Sequence, residues 1–181
     1  MGVTTMKDLM LDIETMGNRS TSAIVQIGAC YFNRHTGEIG DTFLENVSLE
    51  ISMSLGLTVD ASTIQWWMKQ KNKSWLDGKC GLIEALCKFI DFSKNVKYIW
   101  SHSTFDIPIL FNAYNITGYK IPFHYRQTRD IRTLTHLAGH QRNESTIDPN
   151  DKTHNALDDC VYQVKYCVEC FNKLSTENRK E

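Results

Sequence analysis

DLMLDIETMG, from Asp8 to Gly17, begins as an apolar run and ends on two carboxylates one residue apart. The run from Asp8 to Glu14 is short, apolar and followed by glycine, so it reads as a buried strand. Side chains alternate across a strand, so Asp12 and Glu14 leave the same face of the sheet. Oxygen ligands placed side by side suit a hard divalent cation, Mg²⁺ or Mn²⁺. Alone, an Asp-x-Glu pair usually marks a solvated strand end, and its meaning depends on what the rest of the chain places beside it.

Working outward, Ala23 to Asn33 is a second strand rich in Ile, Val and aromatics, His35-Thr36-Gly37 makes a turn, and Glu38 to Val47 returns as a third strand. Tight turns between neighbours predict an antiparallel meander. A capping residue near Asp60 to Ser62 precedes a helix through Thr63 to Met68. Leu82, Ala85, Leu86, Phe89 and Ile90 form the stripe of another helix. Val96 to Ser101 reads as a buried strand and about Phe105 to Tyr114 as a helix, with Gly118 as its stop. Tyr125 to Ile131 is a further strand. An amphipathic helix from about Asn155 to Leu174 carries Val161, Val164, Val168 and Phe171 on one side, and a frayed polar tail is expected after Ser175. This order predicts an α/β fold, a mixed sheet with helices packed on it.

The chain has 181 residues, 41% hydrophobic and 23% charged, enough for one sizeable core and a soluble globular protein. No repeat or linker divides it, so one domain is expected over 1–181, with its core at about 7–172. No apolar run approaches the roughly 20 residues that cross a bilayer, and Met1 to Lys7 lacks the pattern of a secretory signal, so a cytoplasmic location is expected. The six cysteines include a single Cys-x-x-Cys pair, Cys167 and Cys170, and read as small, buried, reduced thiols. Net charge is −1, but positive charge gathers at Lys69, Lys71, Lys73 and Lys79 beside Trp66, Trp67 and Trp75, and again at Lys120, Arg126, Arg129 and Arg132. Each cluster alone reads as a solvated face with some core aromatics; together, basic and aromatic groups suit single-stranded nucleic acid.

Two further acidic sites follow. Asp106 opens a helix directly after an apolar strand, where an acid is ordinarily a partner of the helix dipole. In Thr153-His154-Asn155-Ala156-Leu157-Asp158-Asp159, His154 falls at the end of a loop and Asp159 about one turn into a helix, which can bring an imidazole and a carboxylate to one point. Asp158 reads as the exposed acid of that pair. Each site is unremarkable alone, but their joint occurrence in this order and in these contexts is not readily accidental.

These motifs resemble the DEDDh group of the DnaQ-like 3′-5′ exonucleases over Asp8 to about Cys170. The stretches DIETMG (Asp12 to Gly17), TIQWW (Thr63 to Trp67), FDIPIL (Phe105 to Leu110) and RDIRT (Arg129 to Thr133) are most similar to the branch that holds phage exonuclease A and mycobacterial ribonuclease AS. The resemblance implies a ribonuclease H-like fold with a five-stranded mixed sheet. It also implies removal of nucleoside monophosphates from 3′ ends with two divalent cations held by Asp12, Glu14, Asp106 and Asp159. His154, an imidazole with an unperturbed pKa near ~6.5, is the general base. One departure stands out. Many relatives have Asn four residues before the third aspartate; this chain has His102, a departure that bears on the terminal-nucleotide contacts and leaves the metal ligands intact, and His102 reads as a structural strand-end residue with a second functional histidine as the alternative. Met16, Trp66 and Phe105 are candidates to grip the terminal base or sugar, and Arg129 and Arg132 to hold phosphate, with Asp130 shaping that loop by pairing with arginine. Relatives often form homodimers, for which the Trp-rich segment is a candidate interface. The competing readings are a ribonuclease H-like endonuclease and a non-catalytic nucleic-acid-binding module on the same fold.

Overall fold

The computed structural model describes residues 6–140 and 154–177. Three strands, β1 (Asp8–Thr15), β2 (Ile24–Phe32) and β3 (Ile39–Asn46), form the expected antiparallel meander. Two parallel strands, β4 (Tyr98–Ser101) and β5 (Thr128–Asp130), add to the other side of β1, giving the order β3-β2-β1-β4-β5. The strand with the two carboxylates is therefore central. The helices are α1 (Leu49–Ser54), α2 (Ala61–Lys69), α3 (Leu82–Phe92), α4 (Ser103–Thr117), α5 (Ile131–Leu137) and α6 (Ala156–Glu177).

The alternation of β1 sorts the core into two layers. Leu9, Leu11 and Ile13 pack with Leu82, Leu86 and Phe89 of α3 and with Ile109, Leu110 and Ala113 of α4. Met10 faces the other way, into Cys30, Phe32, Trp100, Ile131 and Leu134, and into Cys160, Val164 and Cys167 of α6. All of β2 is buried because both its faces are covered. Asp12 and Glu14 continue the Met10 side, so they come out beneath α6. Both layers are thus needed to hold β1 in place, but only one carries the acids.

Local sequence accounts for some helix ends, although Asp60, at the start of α2 where a cap was expected, makes no side-chain capping hydrogen bond. Gly118 stops α4 at φ 73°, a left-handed conformation glycine adopts without a Cβ clash. Three elements depart from expectation. Residues 125–131 do not make one strand: Tyr125 to Gln127 is a 3₁₀ turn, β5 keeps only Thr128 to Asp130, and α5 begins at Ile131. Asp130 is the cause, since its carboxylate accepts from the Thr133 amide at 2.8 Å and caps α5. Its other oxygen accepts from the Ser103 amide at 3.1 Å, so Asp130 ties α5 to α4 where an arginine pair was expected. The short helix α1, capped by Ser48, and a 3₁₀ turn at Ser74–Asp77 were also unanticipated. Helix α6 runs past Ser175 to Glu177, and the rest of the expected tail lies outside the described residues. No described helix is long and apolar enough to cross a membrane.

Candidate active site

The site is built where the start of α6 descends onto β1 and β2. Asp12 lies opposite Gly28 in the β1–β2 register, and Glu14 opposite Gln26. A Cβ on Gly28 would sit 2.3 Å from the Ala156 carbonyl carbon, so only glycine admits the helix at this depth. Gln26 fixes its height, accepting from the Ala156 amide at 2.7 Å and donating to Asn46 at 2.6 Å. The Asn155 side chain accepts from the Leu157 and Asp158 amides at 3.1 and 3.2 Å, as a helix cap does. Asp159 then points into the site while Asp158 is exposed.

Two trios result. Glu14, His154 and Asp159 have ligand atoms within 4.8 Å of one another, and so do Asp12, His102 and Asp106. His154 is held at φ 45°, alone among the described non-glycine residues in having positive φ. Such a conformation costs roughly 1–3 kcal/mol and persists where surrounding contacts impose it. The His154 ring also packs against aromatic side chains. The imidazole meets Trp66 edge-on at 4.7 Å between ring centroids and Trp67 at 6.1 Å. Trp67 is itself anchored, its buried indole donating to the Thr15 carbonyl at 3.0 Å.

The electrostatics are those of a crowded acidic cluster. Burial, then the charge of Asp159, push the Asp12 carboxyl up to about 8, although Gln163 donates to it at 2.7 Å and pulls the other way. Glu14 is pushed up to about 9 by burial, by the charges of Asp12, Asp159 and Asp106, and by a hydrogen bond shared with Asp159. Asp106 is raised by burial and by Asp12, against backbone hydrogen bonds at His102 and Ile13 and the charge of Arg132. One Asp106 oxygen is buried with no hydrogen-bond partner. Crowded carboxylates with raised pKa values and an orphaned oxygen fit divalent cations, which would supply the missing charge and ligand contact together.

The remaining candidates separate. Trp66 is 41% exposed and flanks His154, whereas Met16 is 2% exposed and part of the core. The Met16 backbone joins the Ala23 carbonyl at 2.9 Å and the Asp60 amide at 2.7 Å, so it supports the end of β1. Phe105 is half-buried against the same core. Arg132 acts on Asp106 through its charge. Arg129 is directed elsewhere: it donates to the Arg126 and Thr128 carbonyls at 2.8 Å, and its guanidinium lies 4.4 Å over the Tyr98 ring. Tyr98 pairs with Asp8, four residues before Asp12 along β1 and about 13 Å away at strand rise. Sequence reading passed over Gln163, Trp67 and Gly28 as site residues and took His102 as structural. Gln163 carried a signal, since it stands four residues after Asp159 and so on the same helical face.

The sheet gathers Asp12, Glu14, Asp106 and Asp159 with His102 and His154 into two trios, and the family model that matches the chain gives the class, a 3′-5′ exonuclease. The fold matches the nuclease domain of 3′hExo, a DEDDh family member solved with rAMP, at TM-score 0.62 and 18% identity over 93% of this chain and 94% of that one. It also matches E. coli Exonuclease I, solved with a dA16 oligonucleotide, at TM-score 0.64 and 12% identity over 93% of this chain and 43% of that one. Phage T4 exodeoxyribonuclease is 26% identical over 204 residues, covering 90% of this chain and 89% of the relative. The chain belongs to the 3′-5′ exoribonuclease Rv2179c-like domain family, which matches residues 7–171.

Proposed function

We propose that this nuclease removes nucleoside monophosphates from the 3′ end of single-stranded nucleic acid by a two-metal-ion mechanism. Asp12, Glu14, Asp106 and Asp159 hold the cations, Mg²⁺ or Mn²⁺, and His154 is the general base. The observation that carries this reading is the pair of trios whose ligand atoms lie within 4.8 Å of one another, with one Asp106 oxygen buried and unpartnered. Divalent cations supply charge stabilisation at phosphorus and a lowered pKa for the attacking water.

The protein's own groups do the rest. Gln163 holds one oxygen of Asp12, which keeps that carboxylate turned between the two trios. His154, packed against Trp66 and Trp67, stands beside Glu14 and Asp159 to take the proton of the attacking water. Trp66, 41% exposed, offers its indole to the terminal base, Phe105 and Met16 are assigned to the grip on that nucleotide, and Arg132 draws phosphate towards Asp106. Arg129 is a weaker member of the substrate set, given its contacts around Tyr98. The contact between Trp66 and His154 supports assigning the Trp-rich segment to substrate in preference to a homodimer interface. Six free thiols suit a reducing compartment, the cytoplasm.

The matched family is described by RNA and the phage relative by DNA, so the test carries both sugars. Labelled single-stranded RNA and DNA, with free or blocked 3′ ends, are incubated with wild type, Asp12→Ala and His154→Ala, with Mg²⁺, Mn²⁺ or chelator. Shortening from free 3′ ends only, lost with chelator and Asp12→Ala and slowed about 10²–10⁴-fold by His154→Ala, is expected. Internal cuts would instead support an endonuclease, and no metal-dependent product a binding module.

A further inference from the structure

We infer that His102 is a third direct donor to the cation held by Asp12 and Asp106, and that its nitrogen biases this position towards first-row transition cations over Mg²⁺. The inference rests on the proposal that the cluster binds divalent cations and concerns which ones it prefers.

Three observations carry it. The ligand atoms of Asp12, His102 and Asp106 lie within 4.8 Å of one another, the spacing of groups that can share one ion. Asp106 is 1% exposed, and one of its carboxylate oxygens is buried with no hydrogen-bond partner. His102 is also fixed in place: as the residue preceding α4, its carbonyl accepts from the Phe105 amide at 2.7 Å and the Asp106 amide at 3.1 Å. A structural strand-end histidine has no need to meet two buried carboxylates. As a ligand it completes a set of two oxygens and one nitrogen.

That donor set discriminates. Mg²⁺ takes oxygen ligands in a strict octahedron and keeps its waters, so an imidazole adds little to its binding. For first-row transition cations a nitrogen donor is favourable, and affinity at a mixed oxygen and nitrogen site rises from Mn²⁺ to Co²⁺. Replacing His102 with Asn exchanges the nitrogen for an amide oxygen of similar reach. The loss should therefore be graded: largest for Co²⁺, smaller for Mn²⁺, slight for Mg²⁺.

The test titrates chelator-stripped wild type and His102→Asn with each of the three cations by calorimetry. A direct donor is worth at least the roughly tenfold to hundredfold in affinity that outer partners of metal ligands contribute, so a Co²⁺ loss of that size is expected. Pulsed electron paramagnetic resonance of Mn²⁺ on His154→Asn provides a second readout with position 102 intact, so it does not depend on how His102→Asn folds. Histidine nitrogen coupling should persist there. Equal losses for all three cations, or no nitrogen coupling in His154→Asn, would overturn the assignment. If Mg²⁺-dependent shortening from 3′ ends is observed alongside such a result, the nuclease reading stands and only the role of His102 falls. If no divalent cation binds and Asp12→Ala changes nothing, the metal reading falls and this inference with it.

Discussion

Asp12 bears the conflict between stability and use most plainly. It is 9% exposed, faces the charge of Asp159, and is pushed up to about 8. An acid whose folded pKa is raised binds its proton more tightly in the native state than in the unfolded chain, so deprotonation works against folding. Its penalty is absent below the ordinary carboxylate range, grows as pH rises through that range towards 8, and is then constant. Asp12→Asn keeps an oxygen for Gln163 and removes the penalty. Thermal melts in chelator at pH 8 should show this variant more stable than wild type although it degrades no substrate; a lower melting temperature would contradict the assignment of strain to this carboxylate. His154, proposed as the general base, likewise sits against local preference in its left-handed backbone conformation.

At the scale of elements, the decisive packing is that of α6 on β2. Gly28→Ala puts a methyl group into the first turn of α6, where the Cβ would meet the Leu157 amide nitrogen at 2.5 Å and the Ala156 carbonyl oxygen at 2.6 Å. Overpacking of this kind costs roughly 1–3 kcal/mol. Denaturant melts should show that loss, and turnover should fall further than stability does because Asp159 lies on the displaced helix and His154 just before it; unchanged turnover would show that the helix height is not critical. This packing also marks the limit of sequence reading. The meander, α2, α3, α4 and α6 were legible because apolar periodicity and caps act locally, and Asp12, Glu14, Asp106, His154 and Asp159 were legible as motifs on those elements. Gly28 was not, because what it approaches lies 128 residues away in the chain. Gln163 and Trp67 were hidden for a related reason: each looks like an ordinary helix residue until its partner, Asp12 or the Thr15 carbonyl, is placed across the layer. The strand expected at 125–131 failed differently, since Asp130 ended it by capping the next helix.

For the molecule as a whole, the carboxylate cluster couples stability to cations and to pH at once. Glu14, pushed up to about 9, and Asp106 are raised along with Asp12, so metal-free protein should lose stability as pH rises from the ordinary carboxylate range, about 4, to about 9, the interval in which native carboxyls keep protons that the unfolded chain has released. A cation that binds only the native state restores stability, by about 2.7 kcal/mol at a hundredfold excess over its Kd. The rise in melting temperature on adding Mn²⁺ should therefore be larger at pH 8 than at pH 5, where the ligands must first give up protons; equal rises at both would show that the ion binds elsewhere. The two trios also differ in when they come into being. Asp12, His102 and Asp106 are supplied by residues up to α4, whereas the trio of Glu14 waits for His154 and Asp159 at the start of α6. On the proposed assignment, a nascent chain leaving the ribosome holds the first trio once Asp106 has been made, and would become able to cut a nucleic acid only when α6 has emerged and settled over Gly28.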